Sequence, residues 1–180
     1  MTAADLSLAD EVKARLRDVK DFPRPGIVFK DITPLLADPV LFGRVINAMA
    51  APFRGQHITK VIGVEARGFI LGAPVALALN AGFVPARKPG KLPWETIEAR
   101  YALEYGTDAL EVHVDAFKPG ARVIVLDDVL ATGGTAHAKV ELVERLGGVV
   151  VGALFVIELS FLNGRERIPG IDVHALIDYS

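Results

Sequence analysis

At 180 residues and 19.3 kDa the chain has the length of one domain rather than two, enough to bury roughly 70% of its unfolded surface without a metal or disulfide. Hydrophobic residues make up 51% and charged residues 23%, and 20 basic against 22 acidic side chains leave a formal charge of −2. That excludes a disordered chain and lacks the broad positive field of a dedicated nucleic-acid binder.

In chain order, Ser7 and Asp10 form a capping box, and Leu8, Val12, Leu16 and Val19 follow at helical spacing, which predicts an N-terminal helix within residues 1–20. The segment Asp21–Gly26, with two prolines, ends it. Asp38-Pro39 is a cap with proline at the first helical position, and Leu41, Val45, Ile46 and Met49 make one helical stripe. A short buried strand is predicted over Lys60–Glu65, a helix over Arg67–Leu79 and a strand over Gly82–Ala86. From Arg87 to Gly106 the pattern breaks into a polar excursion with proline and glycine, longer than ordinary loops, as functional lids and disordered segments are.

Ala109–Phe117 alternates as a half-exposed strand, with Tyr101–Tyr105 as its antiparallel neighbour. Arg122–Leu126 reads as a strand covered on both faces, Thr135–Leu146 as a helix and Val149–Ile157 as a strand. Arg165 and Arg167, in Asn163–Arg167, read as a turn with solvated charges. Alternating strands and helices predict an α/β fold with a mostly parallel sheet flanked by helices, as one domain over residues 1–180.

No cysteine is present, so disulfides, thiolate metal sites and a cysteine nucleophile are excluded together. The four histidines (His57, His113, His137 and His174) are scattered without metal-ligand spacing. The N-terminus lacks a signal-peptide pattern, and the apolar stretches Gly68–Leu79 and Gly147–Ile157 are too short for a bilayer. A cytoplasmic protein with no membrane partner is expected.

The densest motif is Val123-Ile-Val-Leu-Asp-Asp-Val-Leu-Ala-Thr-Gly-Gly-Thr135. A buried strand delivers Asp127 and Asp128 to its carboxyl end, where open α/β sheets bind ligands. Ala131, Thr132, Gly133, Gly134 and Thr135 then lead into a helix whose free N–H groups and two hydroxyls suit a phosphate. The acids suit neighbouring hydroxyls, so the combination describes a ribose 5-phosphate. Either half alone is ordinary turn chemistry, but together they point to a site. Neither GxxxxGKS/T nor GxGxxG occurs. Glu65-Ala-Arg-Gly68 likewise ends a strand and opens a helix, so Arg67 and backbone N–H groups can face an anion. Arg87, Lys88 and Lys91 put further cations directly after a strand end.

The Val123–Thr135 stretch resembles the 5-phosphoribosyl 1-pyrophosphate (PRPP) signature of the type I phosphoribosyltransferases. Phe22–Thr33, Glu65–Phe69, Arg87–Pro93 and Leu103–Gly106 resemble the adenine-specific branch of that family, in the same order and spacing. The resemblance runs from about Phe22 to the C-terminus and implies the type I fold with a flexible lid over 87–106. It implies transfer of a phosphoribosyl group from PRPP to adenine, giving AMP and pyrophosphate through an oxocarbenium-like transition state.

By the same resemblance, Arg67, Lys88, Lys91 and Tyr105 serve the pyrophosphate, Arg87 reaches a neighbouring subunit's site, and a non-proline cis peptide is placed at Glu65–Ala66. Glu104 handles the proton at adenine N7. Phe29 stacks on the base, the backbone of Val28 and Lys30 meets its edge, and Leu159 closes the other face. Many relatives carry arginine where this chain has Lys30, which removes a guanidinium fork there. Magnesium is implied by the substrate, held through PRPP oxygens and waters with no ligand cage from the protein, and a homodimer is implied. The alternatives are a transferase for hypoxanthine, guanine or xanthine, and a non-catalytic nucleotide sensor. The Phe22–Thr33 and Leu103–Gly106 segments weigh against the first. The absence of a basic stripe weighs against the second.

Overall fold

The computed structural model describes residues 7–103 and 106–180. Helix α1 (Leu8–Arg15) begins at the expected cap: the Ser7 hydroxyl accepts from the Asp10 N–H at 3.2 Å and donates to the Asp10 carboxylate at 2.6 Å. It stops at Arg15. Val19, expected on the helical stripe, lies instead in strand β1 (Arg17–Lys20), which pairs antiparallel with β2 (Val28–Asp31). The register explains the outcome. It sets Arg17 opposite Asp31 and Asp18 opposite Lys30, two opposite-charge cross-strand pairs that a helix would separate.

After the short helix α2 (Thr33–Leu36), the Asp38 carboxylate accepts from the Val40 and Leu41 N–H groups and starts α3 (Pro39–Ala50). Leu41, Val45, Ile46 and Met49 are all buried, as their spacing predicts. Next come β3 (Lys60–Val64), α4 (Arg67–Ala78) and β4 (Gly82–Ala86). The expected irregular excursion is half strand: β5 (Thr96–Leu103) pairs antiparallel with β6 (Gly106–His113). Its inward positions include Ala99 and Tyr101, both buried. The antiparallel pairing was expected, but only from Tyr101 to Tyr105; alanine and a polar-tipped aromatic give a weak alternation signal, which hid the strand's first half, Thr96–Arg100. The partner strand was expected over Ala109–Phe117. It begins at Gly106, and residues 114–117 leave the pairing.

Strand β7 (Arg122–Leu130), helix α5 (Gly134–Arg145), β8 (Val149–Leu159) and β9 (Val173–Tyr179) complete the chain. The main sheet runs β4-β3-β7-β8-β9 with every neighbouring pair parallel. Along the central β7, alternate side chains feed two cores. Ile124 and Leu126 pack with Val45, Met49 and Leu71 of α3 and α4. Val123 and Val125 pack with Leu142 and Val143 of α5 and with Leu110 of the β5–β6 hairpin. Because β3 and β7 are parallel neighbours, with Gly63 opposite Leu126, the turns after them emerge at the same edge.

Candidate active site

Two strand-to-helix turns meet at that edge. After β7, Gly133 caps α5 with φ +80°, and a Cβ there would lie 2.3 Å from the Gly164 carbonyl oxygen. Only glycine fits both the left-handed backbone and the contact. The loop wraps a small cavity of ≈ 70 Å³ lined by Asp127 and by residues 131–136. That is far below the ~300–1,000 Å³ of a whole small-molecule pocket and suits one small anion, facing the open N–H groups of α5.

After β3, the Glu65–Ala66 peptide is cis, where the resemblance placed it. The turn is tight: a Cβ on Gly63 would lie 2.5 Å from the Gly68 carbonyl oxygen. Arg67 opens α4, and its Nε stands 2.7 Å from Asp128 Oδ2, with the N–H poorly aligned, so the contact is ionic. Its guanidinium carbon also lies 4.8 Å from the centre of the Phe29 ring. Arg67 therefore joins the acid pair to the β2 strand.

The two acids have different environments. Asp127 accepts from Lys139 Nζ at 2.8 Å and from the Asp128 N–H at 3.1 Å. Asp128 is pushed up to about 7, first by burial and then by the Asp127 charge beside it, with Arg67 pulling the other way. A carboxyl that titrates near neutrality at a strand end is a mark of a functional site.

The cations after β4 are arranged by Glu65. Its carboxylate accepts from Arg87 Nε and Nη2 at 3.0 and 2.7 Å and from the Lys88 N–H at 2.7 Å. Burial raises Glu65, but these donors outweigh it and hold it below its ordinary value. Arg87 thus points at its own chain's cis turn, and its Nη1 donates to the Lys91 carbonyl at 2.9 Å. Lys88 Nζ pairs with Asp108 on β6. Tyr101 of β5 donates to the same carboxylate at 3.3 Å and is buried in the same core as Ala136 of α5, so the hairpin lies against the helix that opens at the phosphate-sized loop. Glu104 and Tyr105, the expected catalytic acid and pyrophosphate clamp, lie outside the described residues.

On β2, Val28 is exposed, and Phe29 meets Phe22 edge-on at 5.2 Å. Lys30 Nζ pairs with Asp18 at 2.8 Å and lies 4.3 Å from the centre of the Tyr179 ring. Leu159 is the sheet neighbour of Tyr179, so Tyr179 stands between the two walls expected to face the base. Tyr179 links these walls, under Lys30 on one side and paired with Leu159 on the other.

Three features escaped sequence reasoning. Lys139 is fully buried under Asp127; the signal was a lysine on the helical stripe of Ala136, Val140 and Val143. Arg165 is exposed, as expected, but it also forks onto the buried Glu158 at 2.6 Å through each nitrogen, a pairing its reading as a solvated charge did not include. Gly164 packs under the loop, where a Cβ would lie 2.2 Å from the Ala131 carbonyl oxygen. The Asn163-Gly164 pair was its only local sign. Among the described residues no group of three or more His, Cys, Asp or Glu side chains could hold a metal ion, and no helix is long and apolar enough to cross a membrane.

Comparison with known proteins agrees with this geometry. The family model for the phosphoribosyl transferase domain matches residues 35–168. The adenine phosphoribosyltransferase of Myxococcus xanthus is 65% identical over 175 residues, covering 97% of this chain and 95% of its own. The crystal structure of adenine phosphoribosyltransferase from Thermoanaerobacter pseudethanolicus superposes with a TM-score of 0.92 at 50% identity, covering 95% of this chain and 99% of its own. The Saccharomyces cerevisiae enzyme, complexed with an imino-altritol bisphosphate and adenine, gives 0.89 at 42% identity over 94% of this chain and 98% of its own. With its phosphate-sized loop, acid pair and cis turn at one sheet edge, the chain belongs to the phosphoribosyltransferase family, among the adenine phosphoribosyltransferases.

Proposed function

We propose that the chain transfers the phosphoribosyl group of PRPP to adenine, releasing AMP and pyrophosphate, a purine salvage reaction. The supporting observation is the meeting of the residue 131–136 cavity, the Asp127–Asp128 pair and Arg67 at adjacent strand ends. The relatives' shared name and the adenine bound to the yeast enzyme select the base. In the reaction the bond from ribose C1 to pyrophosphate oxygen breaks, the bond from C1 to adenine N9 forms, and the imidazole proton of adenine, carried on N7 as N9 attacks, passes to the Glu104 carboxylate.

In this reading residues 131–135 hold the 5-phosphate, and Asp127 and Asp128 accept from the ribose hydroxyls. Arg67 leaves Asp128 for the pyrophosphate, where Lys88, Lys91 and Tyr105 also act. Arg87 serves the same site through Glu65 or from a neighbouring subunit. Phe29 stacks on adenine, the Val28 and Lys30 backbone meets its edge, and Leu159 closes the slot. Glu104 holds the proton at N7 while N9 attacks. The 87–106 segment excludes water from a cation-like transition state.

Magnesium fits as a companion of the substrate. Asp127 already carries Lys139, and in this reading Asp128 takes a ribose hydroxyl, so the pair offers no cage and PRPP oxygens and waters would hold the metal. When bound, it neutralises pyrophosphate as a leaving group. A homodimer is supported by the exposed apolar stripe Ile70, Ala73 and Leu77 on α4, spaced to face one partner surface. Sedimentation equilibrium tests it: a mass of 19.3 kDa at micromolar concentration would reject the dimer.

The reaction is tested by incubating the protein with adenine, PRPP and magnesium and counting products. AMP and pyrophosphate in equal amounts are expected. PRPP consumption without AMP would sink the proposal.

A further inference from the structure

Lys139 has no exposed surface. It sits on the inner face of α5 among Ala136, Val140 and Val143, a place where methionine or leucine would pack without desolvating a charge. Its ammonium instead bonds Asp127 Oδ2 and the Leu126 carbonyl, each at 2.8 Å. One helical turn separates it from Thr135 of the phosphate-sized loop.

We propose that Lys139 is a positioning residue of the transfer reaction, fixing the Asp127 carboxylate in the orientation that meets the ribose of PRPP. The proposal rests on the reading of Asp127 as a ribose-binding group. Asp127 is held by two bonds and closely approached on a third side. Lys139 takes Oδ2 from α5, the Asp128 N–H takes Oδ1 along β7, and a side chain at Gly68 of α4 would stand 3.1 Å from Oδ1. Two bonds occupy two of about four acceptor positions of a carboxylate, which leaves capacity for a sugar hydroxyl.

Each acid of the pair has its own cation, and the two cations differ in kind. Arg67 is 35% exposed and its contact with Asp128 is poorly aligned, so it can exchange that acid for a substrate anion. Lys139 is sealed and cannot. Asp127 therefore keeps its geometry while its neighbour's partner changes hands. The same lysine ties the end of β7 to α5, so the ribose acids and the phosphate loop move as one body.

A double-mutant cycle with Lys139→Met and Asp127→Asn tests this, read as steady-state kinetics against PRPP and adenine. Lys139→Met should lower kcat/KM for PRPP about tenfold or more, through KM for PRPP, yet change it by less than about threefold when Asp127 is already asparagine. The KM for adenine at saturating PRPP should not move. Equal factors in both backgrounds, or an equal rise in the adenine KM, would make Lys139 a core filler and overturn the proposal. Should Lys139→Met alone fail to unfold cooperatively in urea, the double variant decides. Binding PRPP as Asp127→Asn does supports the proposal; weaker binding, or loss of the fold, overturns it. A wild-type protein that makes no AMP would instead sink the transferase reading and this proposal with it, whereas wild-type turnover with additive effects removes Lys139 alone.

Discussion

Replacing Gly133 by alanine should damage the protein twice over, and the two causes can be separated. The residue has φ +80°, and a Cβ would stand 2.3 Å from the Gly164 carbonyl oxygen and 2.9 Å from Arg167 Cβ. The left-handed backbone costs an L-residue about 1–2 kcal/mol. Relieving a contact with backbone adds about 1–3 kcal/mol, since neither strand end nor turn can yield by a rotamer change. The loss is then about 3 kcal/mol, a Tm drop of about 6–12 °C for a chain this size. Gly170 is the matched control: its φ is +77° and a Cβ there meets nothing within 4 Å. Gly170→Ala should lose only the backbone part, about 1–2 kcal/mol, with normal KM for PRPP. Thermal unfolding and PRPP kinetics of both variants decide the matter. Equal Tm losses, with unchanged PRPP kinetics for Gly133→Ala, would show that the Gly133–Gly164 contact does not shape the loop.

The titration of Asp128 gives a second prediction. Its carboxyl is pushed up to about 7, mainly by burial, from an ordinary value of 3.8. A raised carboxyl favours the folded state fully below about pH 4 and loses that advantage as the pH climbs to about 7, because the unfolded chain releases its proton first. Asp128→Asn should therefore flatten the fall in urea midpoint between pH 5 and 7; parallel curves would place the buried proton elsewhere. A third concerns Glu104, outside the described residues. Glu104→Gln should lower kcat more than it raises the KM for adenine, and unchanged single-turnover rates would remove it from the chemistry.

What the sequence disclosed follows from how strongly each element is patterned. Arg122–Leu126 is apolar on both faces, and the Asp38-Pro39 cap leads a stripe of four core residues, so both were legible without tertiary information. The site motifs were legible for a related reason: glycines and acids at a strand end serve chemistry that is local in sequence. Strand β1 was not legible, because Arg17 and Asp18 gain their partners from residues 31 and 30 only after the turn forms. The same holds for Lys139, an apparent surface lysine until α5 lies on β7. Arg165 belongs with these, since its partner Glu158 is a buried residue near the end of β8. Tertiary pairing decides such residues: periodicity puts Lys139 on an apolar stripe but carries no trace of its partner.

The central claim is that the site formed by Phe29, Arg67, the acid pair and the 131–135 loop joins adenine, and adenine above other purines, to PRPP. It is met most directly by offering adenine, hypoxanthine, guanine and xanthine together with PRPP and magnesium and identifying every nucleotide formed. AMP as the sole or dominant product is the result predicted. IMP, GMP or XMP in comparable amount would contradict the base assignment while keeping the PRPP half, and bound PRPP with no nucleotide formed would contradict the claim that the chain is a transferase.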